Sequence, residues 1–399
     1  MDALMLPLNW QRVRLGDVAE IKRGASPRPI ENPKWFCTNS NVGWVRISDI
    51  SKNSRFLYKT AQKLSKKGIE KSRLVKQNSL IMSMCATIGK PIITKIDTCI
   101  HDGFVVFENP KIDLNYLYYF LCYIEKEWLE SGQQGSQINL NVDLIKNKEV
   151  FYPKDLNEQI AIANILSNVD RYLYSLDALI LKKESVKKAL SFELLSQRKR
   201  LKGFNQNWQR VRLGDICEFG NGEAYETLIV ENGDFKLISL NSIDIDGNLK
   251  NTMKRVNFYD NSLKQDDIVM VLSDVAHGDF LGLCAVIPSN DYVLNQRMGR
   301  LRIRNDCINI LFLRLYINAN QKYFKMQGQG SSQLNLSKKA IEDFEIPLPP
   351  LNEQAAIANI LSDVDNEIIS LKNKKRQFEN IKKALNHDLM SAKIRVLKK

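Results

Sequence analysis

The residue types that carry enzymatic chemistry occur in this chain without a catalytic arrangement. Gly89-Lys90 resembles part of a phosphate-binding loop, but Met84 stands where the first glycine belongs and Pro91 where the hydroxyl residue belongs. The chain has three histidines, which are too far apart in sequence for ordinary zinc-ligand spacing: His101, His277 and His387. We therefore predict no catalytic residue and no metal site. His101 is interpreted as a structural group, with a polar loop contact as the alternative.

An alternating run of arginines is the most specific binding feature. Residues 300–304 read RLRIR, so on a strand the arginines would share one face. A guanidinium group matches both guanine edges and phosphates. We interpret four arginines of this region as candidate nucleic-acid contacts: Arg297, Arg300, Arg302 and Arg304. The alternative is a solvated face that is ion-paired to the many acidic residues nearby.

A second basic region lies in the first half of the chain. Residues 59–76 contain six lysines and an arginine, and such a run typically contacts phosphates without reading sequence. The candidate phosphate contacts are Lys63, Lys66, Lys67 and Lys71. Arg23 and Arg28 flank Ser26-Pro27, and we expect Arg23, Ser26 and Arg28 to contact bases or backbone. The alternative for the lysine run is an ordinary solvated helix face.

Charge and composition limit the class of protein. The formal net charge of +13 favours a polyanionic partner. Residues 1–150 carry 22 Lys and Arg against 15 Asp and Glu, whereas residues 205–345 carry 16 against 18. The second region can therefore bind DNA only through a local cluster. No apolar run has membrane-spanning length, and seven scattered cysteines argue against a disulfide framework, so we expect a cytoplasmic location.

These candidate residues are set in a chain that repeats itself. Residues 9–18 (NWQRVRLGDV) recur almost unchanged as residues 207–216 (NWQRVRLGDI). Residues 156–166 (LNEQIAIANIL) recur as residues 351–361 (LNEQAAIANIL). The segments between these anchors share little. Repeated motifs that enclose two divergent segments indicate one scaffold that presents two different binding surfaces.

Each repeat ends in a long helix. Prolines at Pro153 and at 347–350 stop the preceding element, and we predict Asn157 and Asn352 as the helix N-caps. Both helices have an apolar stripe of coiled-coil spacing, interrupted by lysines, over about five heptads. The first stripe is Ile162, Leu166, Val169, Leu173, Leu176, Ile180, Leu190 and Leu194. The second is Ile357, Leu361, Val364, Ile368, Leu371, Phe378, Leu385 and Leu389.

We predict that the two helices pack on each other as a coiled coil, which is antiparallel if the two halves are related by a pseudo-two-fold axis like an isologous dimer fused in tandem. The alternative is that each helix packs into the core of its own domain. Each helix would be roughly 60 Å long at about 1.5 Å per residue. The fold class is therefore an α/β (α+β) tandem pseudo-symmetric repeat. The expected segments are 1–152, globular; 153–200, helix; 201–346, globular; and 347–399, helix.

The doubled motifs identify a family. The chain resembles the specificity subunit of type I restriction–modification systems over essentially its whole length. The resemblance rests on the doubled Trp-x-x-Val-x-Leu-Gly-Asp start and the doubled Leu-Asn-Glu-Gln helix start. It also rests on residues 24–27 (GASP), 44–50 (WVRISDI), 87–90 (TIGK), 135–140 (GSQINL) and 330–336 (GSSQLNL). Residues 220–223 (GNGE) and 272–278 (LSDVAHG) depart from the pattern of the first repeat.

The resemblance implies two target recognition domains, each of which reads one half of a split, asymmetric site on double-stranded DNA. The paired helices would set the unread gap. The subunit itself would be non-catalytic and would bind two adenine methyltransferase subunits, which motor-nuclease restriction subunits can join. S-adenosylmethionine, ATP and magnesium would belong to those partners, with no cofactor in this chain. An orphan DNA-binding scaffold remains the alternative; a fused methyltransferase is disfavoured because no catalytic motif exists.

The duplicated helix starts are candidate docking surfaces, because two identical partners need two identical surfaces. The predicted methyltransferase contacts are Asn157, Glu158, Gln159, Ile162 and Asn164 in the first repeat, and Asn352, Glu353, Gln354, Ile357 and Asn359 in the second. The alternative is that these residues only cap and pack the helices.

Overall fold

The chain forms two compact units. The computed structural model describes residues 7–51, 55–131, 140–275 and 278–396. Unit 1 comprises Met1–Asp177 and Asn373–Lys399, and unit 2 comprises Ala178–Lys372. Both long helices are therefore divided between the units, whereas the boundaries expected from the sequence gave each helix to a segment of its own. Within the described part of the chain, no helix combines the length and apolar composition needed to cross a membrane.

The globular part of unit 1 alternates short strands with short helices. Its strands are β1 (Trp10–Arg14), β2 (Glu20–Arg23), β3 (Gly43–Val45), β4 (Phe56–Leu57), β5 (Gln62–Lys63), β6 (Arg73–Val75), β7 (Leu80–Ser83), β8 (Pro91–Thr94), β9 (Thr98–Ile100), β10 (Phe104–Glu108) and β11 (Glu149–Pro153). Its helices are α1 (Leu15–Val18), α2 (Ile47–Ser51), α3 (Lys66–Glu70), α4 (Leu114–Tyr123), α5 (Glu125–Ser131), α6 (Val142–Asn147) and the start of α7 (Leu156–Leu195).

Unit 2 repeats this plan. Its strands are β12 (Gln209–Arg212), β13 (Cys217–Asn221), β14 (Phe235–Ile238), β15 (Lys254–Val256), β16 (Ile268–Val271), β17 (Ser273–Val275), β18 (Cys284–Val286), β19 (Tyr292–Leu294), β20 (Met298–Ile303), β21 (Gln333–Asn335) and β22 (Glu345–Leu348). Its helices are α8 (Leu213–Ile216), α9 (Ile310–Ala319), α10 (Gln321–Gln327), α11 (Lys338–Glu342) and the start of α12 (Leu351–Met390).

The strand pairing is shared by the two units. In unit 1 the main sheet has the order β2-β10-β7-β8-β4, and a second sheet has the order β5-β3-β9-β6. In unit 2 the corresponding orders are β13-β20-β16-β18 and β15-β14-β19. Each second sheet contains one parallel pair, β3 with β9 and β14 with β19, in otherwise antiparallel surroundings. The variable segments have thus kept a common set of strand pairings although their sequences share little, with β4 and β6 added in unit 1 and a β17–β21 pair added in unit 2.

The repeated sequence at the start of each unit closes a two-stranded frame. β1 pairs antiparallel with β11, and β12 pairs with β22, so the beginning and end of each globular part are hydrogen-bonded together. The aspartate of the motif holds the following turn, because Asp17 accepts from the backbone N–H of Arg14 and Asp215 from that of Arg212. Leu15 and Leu213 are buried beneath these turns. The motif is therefore a folding element.

In unit 1 the two long helices pack antiparallel. Lys382 Nζ lies 2.5 Å from Asp170 Oδ1, and the rings of Tyr172 and Phe378 are 4.5 Å apart. Lys375, one of the lysines that interrupt the apolar stripe, forms a 2.6 Å ion pair with Asp177. Partner numbers fall along α12 as they rise along α7, which agrees with the antiparallel coiled coil predicted from the sequence.

Unit 2 contains the matching half of the helix pair. Lys187 Nζ lies 2.5 Å from Asp365 Oδ1, and Lys183 Nζ lies 2.7 Å from Glu367 Oε2. The Lys187–Asp365 pair is the pseudo-symmetric counterpart of Lys382–Asp170, since lysine and aspartate occupy equivalent repeat positions. The lysines that break the apolar stripe are thus matched by acids on the other helix, so an oppositely charged pair replaces an apolar contact.

Candidate nucleic-acid interface

The loop after β2 is anchored in unit 1 by a close backbone contact. A Cβ on Gly24 would lie 2.0 Å from the carbonyl oxygen of His101, so only glycine fits there. His101 is itself held in place. Its Nδ1 accepts from Gly103 N at 2.9 Å, its ring packs on Trp44 and Phe104, and burial lowers the pKa of the imidazole. His101 therefore has the structural role that the sequence favoured.

Asp102 joins three of the predicted contact residues. Ser26 Oγ donates to Asp102 Oδ1 at 2.7 Å, and Arg28 Nη2 donates to Asp102 Oδ2 at 3.0 Å. Arg23 Nε donates to the carbonyl oxygen of the same residue at 2.7 Å. The hydrogen bond from Ser26, helped by the charge of Arg28, lowers the pKa of Asp102, so the carboxylate is ionised at neutral pH. Asp102, which lies 74 positions from Arg28, was not among the binding residues predicted from the sequence.

The lysine-rich segment lies against this loop. Ser65 Oγ donates to Lys34 O at 2.7 Å, Ser72 Oγ donates to Ala25 O at 2.7 Å, and Arg73 Nε donates to Arg23 O at 2.5 Å. These bonds bring two distant parts of the sequence into one cationic face. We name it the unit 1 basic surface, and it consists of Arg23, Arg28, Lys34, Lys63, Lys66, Lys67, Lys71 and Arg73.

The cations of this surface remain available for an anion. Lys63 ends β5, Lys66 and Lys67 open α3 behind the Ser65 cap, and Lys71 follows that helix. All four lysines are exposed. Among the described residues none of the four forms an ion pair with a carboxylate, and Arg28 shares its charge with Asp102. The surface therefore carries uncompensated positive charge of the kind that attracts phosphates.

Unit 2 has the same anchor in different surroundings. A Cβ on Gly222 would lie 2.1 Å from Asn295 O, which is the counterpart of Gly24 against His101. Asn295 Oδ1 accepts from Tyr225 N at 3.0 Å, and Asn295 Nδ2 donates to Glu226 at 2.9 Å. Tyr225 donates in turn to Asp260 at 2.9 Å, and burial together with that bond raises the pKa of the phenol. The loop that is basic in unit 1 is lined by carboxylates in unit 2.

The arginine run of β20 is largely neutralised within unit 2. Arg302 forms a two-pronged ion pair with Asp267, with N–O distances of 2.8 and 2.7 Å. Arg300 Nη2 donates to Glu218 at 2.5 Å and Arg300 Nη1 to Ser262 O at 3.1 Å. The ion pairs agree with the alternative stated from the sequence, and DNA contact by Arg300 and Arg302 stays an untested prediction that these pairs disfavour.

The other two arginines of the run are exposed. Arg297 precedes β20 in a left-handed backbone conformation, with φ at 68°, and Arg304 follows the end of the strand. Within the described residues neither forms an ion pair. Arg297 and Arg304 thus remain as candidate DNA contacts of unit 2, although the structure does not gather them into a surface like that of unit 1.

The helix starts are more buried than the sequence suggested. Gln159 donates to Pro153 O and accepts from Asp113 N, both at 2.8 Å. Gln354 makes the same two kinds of bond, to Pro349 O at 2.8 Å and from Asn309 N at 2.7 Å. Each glutamine therefore fixes the start of its long helix to the N-terminus of α4 or α9. These residues have the packing role that was the stated alternative.

Three further residues of the predicted docking surfaces are also buried. Ile162 and Ile357 lie in the cores of their units, and Glu353 is fully buried. Glu353 accepts from Arg200 at 2.6 Å and from Trp208 Nε1 at 3.0 Å. Glu158, its counterpart, is partly exposed and accepts from Asn9 at 2.9 Å. A partner cannot contact the buried side chains directly, and they are corrected to structural residues.

The exposed part of the helix starts is nonetheless duplicated. Asn157, Asn164, Asn352 and Asn359 are exposed as a docking surface requires. Leu156 and Leu351, which were not among the predicted contacts, are 52% and 49% exposed at equivalent positions. Two large apolar side chains with equal exposure are what two copies of one partner would bind. Both N-cap predictions were wrong, because α7 begins at Leu156 and α12 at Leu351, each one residue before the asparagine. In α7 it is Asp155 Oδ1 that accepts from Asn157 N, at 3.0 Å.

Comparison with known proteins places both units in one family. The model of the type I restriction modification DNA specificity domain matches residues 7–183 and again residues 205–380. The chain belongs to this family. The two matches coincide with the two repeats found in the sequence, each a globular part followed by its long helix. Within this family the chain is a DNA-recognition subunit and carries no catalysis of its own.

Similar proteins support this assignment. The specificity subunit of the type I restriction enzyme MjaVIII from Methanocaldococcus jannaschii is 27% identical over 99% of this chain and 95% of its own length. The specificity subunit of the EcoprrI enzyme from Escherichia coli is 25% identical, over 45% of each chain. The crystal structure of a type I system S subunit from M. genitalium has the same fold, with a TM-score of 0.63, 17% identity and coverage of 96% of this chain and 98% of that one.

Two features of this specificity-domain protein complete the description. Among the residues that the structure describes, no group of three or more His, Cys, Asp or Glu side chains is arranged to hold a metal ion. His277 and most of the 135–140 motif lie outside the described residues. The site of interest is therefore the unit 1 basic surface, together with the exposed arginines of unit 2 and the exposed positions of the two helix starts.

Proposed function

We propose that this chain is the DNA specificity subunit of a type I restriction–modification complex. Unit 1 and unit 2 each read one half of a bipartite, asymmetric site on double-stranded DNA, and the paired α7 and α12 set the unread gap. The observation that carries the proposal is the double match of the specificity domain to two units of common topology. The cationic face of unit 1 supports it, because duplex DNA is a dense line of negative charge.

Two recognition units on one chain give selectivity that neither has alone. A good base contact discriminates by about 1–3 kcal/mol, so a half-site of a few base pairs is weakly selective. Once one unit has bound, the second binds intramolecularly, and affinity and selectivity multiply only when the gap between half-sites is correct. A pair of helices held by matched ion pairs is stiff enough to impose one gap, whereas a flexible linker would accept many.

The partners in this proposal are two adenine methyltransferase subunits, which restriction subunits can join. Each methyltransferase docks on one helix start, through the exposed Leu156, Asn157 and Asn164 or through Leu351, Asn352 and Asn359. S-adenosylmethionine belongs to the methyltransferases, and ATP and magnesium to the restriction subunits. This chain supplies DNA binding, orientation and the correct separation of the two half-sites.

The proposed function is tested by mapping adenine methylation across a genome by long-read sequencing. Cells express this chain together with the methyltransferase subunit of the same system, and a matched strain lacks only this chain. We expect a two-part methylated motif with a constant gap that disappears in the deletion strain. A stable complex that produces no new motif would contradict the proposal and favour an orphan DNA-binding scaffold.

The docking surfaces are tested by placing a charge at the duplicated apolar positions. Leu156→Asp or Leu351→Asp should each remove one methyltransferase subunit from the complex, and the double variant should remove both, as measured by native mass spectrometry. Leu181→Asp is the matched control, since Leu181 is 65% exposed on α7 but lies outside the helix start. Unchanged stoichiometry in the double variant would rule out these surfaces.

A further inference from the structure

Arg46 is a cation of unit 1 whose side-chain hydrogen-bond partner carries no charge. It follows β3 and is half-buried. Its Nε donates to Gln62 Oε1 at 3.0 Å, so its side-chain partner is a neutral amide. Among the described residues no carboxylate forms an ion pair with it. Arg300 and Arg302 are different, because each is neutralised by an acid.

Arg46 and Gln62 line an open cleft of about 540 Å³. The other residues that line it are Ile30, Glu31, Pro33 and Phe36. The residues that line the cleft are neighbours in sequence of the unit 1 basic surface. Residues 30–36 continue from the loop that carries Arg28, Lys34 belongs to this same segment, and Gln62 adjoins Lys63 on β5. If the basic surface holds a phosphate backbone, a cleft formed by residues next to it in sequence is a candidate contact for the bases of the same duplex.

The chemistry of the cleft matches one base pair. Gln62 fixes the Nε edge of the guanidinium and leaves the two terminal amino groups as donors. Two parallel donors suit the O6 and N7 acceptors of guanine in the major groove. A carboxylate such as that of Glu31 accepts from the N4 amino group of cytosine. The same cleft therefore holds groups complementary to both partners of a G·C pair.

We propose that Arg46 reads a guanine in the half-site of unit 1, with Gln62 as a positioning residue and Glu31 facing the paired cytosine. This inference rests on the proposed function and deepens it by naming a base and the residue that reads it. Adenine offers an amino group where guanine offers O6, so an A·T pair at this position leaves one arginine donor unpaired. The lysines around the cleft supply affinity, and Arg46 supplies sequence preference.

The test compares methylation motifs of wild type and variants in the complex with the methyltransferase subunit, on a library of duplexes randomised at one half-site position at a time. Arg46→Ala should reduce the preference for G·C at one position by roughly 5- to 140-fold and leave the other half-site unchanged. Arg46→Lys keeps the positive charge but lacks the two parallel donors of the guanidinium, and it should reduce the G·C preference at the same position. Gln62→Ala should reduce the G·C preference at that position by a smaller factor than Arg46→Ala. Arg12→Ala is the control, because Arg12 is an exposed arginine of β1 that is paired with Glu149.

Several results would overturn the inference. A uniform loss of binding at every sequence, with a shallower salt dependence, would make Arg46 a phosphate contact. An unchanged motif in Arg46→Ala and in Arg46→Lys would remove it from the interface. If Arg46→Ala lost assembly or melted early, Arg46→Lys would decide, and a wild-type motif in that variant would refute base reading. Failure of the proposed function is distinguishable, because the wild-type complex would then give no motif.

Discussion

Truncation of Arg302 should destabilise unit 2 while leaving DNA recognition unchanged. The side chain of Asp267 is 3% exposed and that of Arg302 is 29% exposed, so the ion pair is mostly withdrawn from water. Asp267 accepts two hydrogen bonds from Arg302 and a third from Lys264 N at 2.7 Å. Arg302→Ala therefore removes two of three donors from a buried carboxylate. The pair also raises the pKa of Arg302, so the guanidinium is charged at all ordinary pH values.

The expected cost is about 3 kcal/mol, because a hydrogen bond to a charged group contributes about 1.5–3 kcal/mol and breaking a buried ion pair costs about 3–5 kcal/mol. The partial exposure of Arg302 and the bond that Lys264 retains favour the lower end of that range. For a unit of roughly 200 residues, each kcal/mol lowers the melting temperature by about 2–4 °C. Scanning calorimetry of the full chain should therefore show a transition lowered by about 6–12 °C.

Two companion variants make this reasoning refutable. Asp267→Asn combined with Arg302→Ala leaves no isolated buried charge and should recover part of the lost stability. Arg304→Ala removes an exposed arginine without an ion pair and should change the melting temperature by less than about 2 °C. A melting temperature of Arg302→Ala within about 2 °C of wild type, together with an altered methylation motif, would refute the structural role and restore Arg302 as a DNA contact.

Three further predictions concern other parts of the molecule. Alanine at Lys66, Lys67 and Lys71 of the unit 1 basic surface should weaken specific and non-specific DNA binding alike and reduce the slope of log K against log salt by about 2–3. An unchanged slope in a salt titration would exclude these three lysines as phosphate contacts. Gln159→Leu should cost about 2–3 kcal/mol in denaturant unfolding, since it leaves a buried C=O and a partly buried N–H unpaired. Gln354→Leu should cost at least as much, since Gln354 Nε2 also donates to Cys307 O at 2.9 Å, and a clearly smaller loss would contradict this account. An insertion of about one helical turn into both α7 and α12 should change the length of the gap in the methylated motif and leave its two half-sequences unchanged. If the original gap were retained, the two helices would not be the elements that set its length.

The frame of the fold could be predicted from the sequence because its causes are local and repeated. Heptad spacing, proline stops and the duplicated motifs depend on neighbours within a few positions, and the structure places two matching long helices accordingly. The antiparallel direction was predicted from a two-fold axis perpendicular to the helices, and the ion pairs Lys382–Asp170 and Lys187–Asp365 agree with it. The detailed caps were less predictable, as Asp155 shows, because a cap depends on one hydrogen bond.

The binding residues were harder to predict because their state depends on distant partners. The alternation at 300–304 correctly indicates a strand with arginines on one face, but the acids that neutralise it are Glu218 and Asp267, 82 and 35 positions away. Conversely, Arg46 has no feature in its own neighbourhood that singles it out. Its importance comes from the pairing of β3 with β5, which places Trp44 opposite Gln62 and brings Arg46 to the side chain of Gln62.

The two units share a close glycine–carbonyl contact, but the loops next to that contact carry opposite charge. Gly24 and Gly222 both lie beneath a backbone carbonyl that no Cβ could approach, so the loop leaves the main sheet at the same place in each unit. Next to this contact, Asp102 accepts hydrogen bonds from Ser26 and Arg28 in unit 1. In unit 2, Asn295 is hydrogen-bonded to Tyr225 N and to the carboxylate of Glu226. Since residues 205–345 carry a net charge of −2, unit 2 gains little from phosphate attraction and depends on the tether to unit 1 for its encounter with DNA. Loss of cations from unit 1 should therefore weaken recognition of both half-sites, although only one of them is read by that unit.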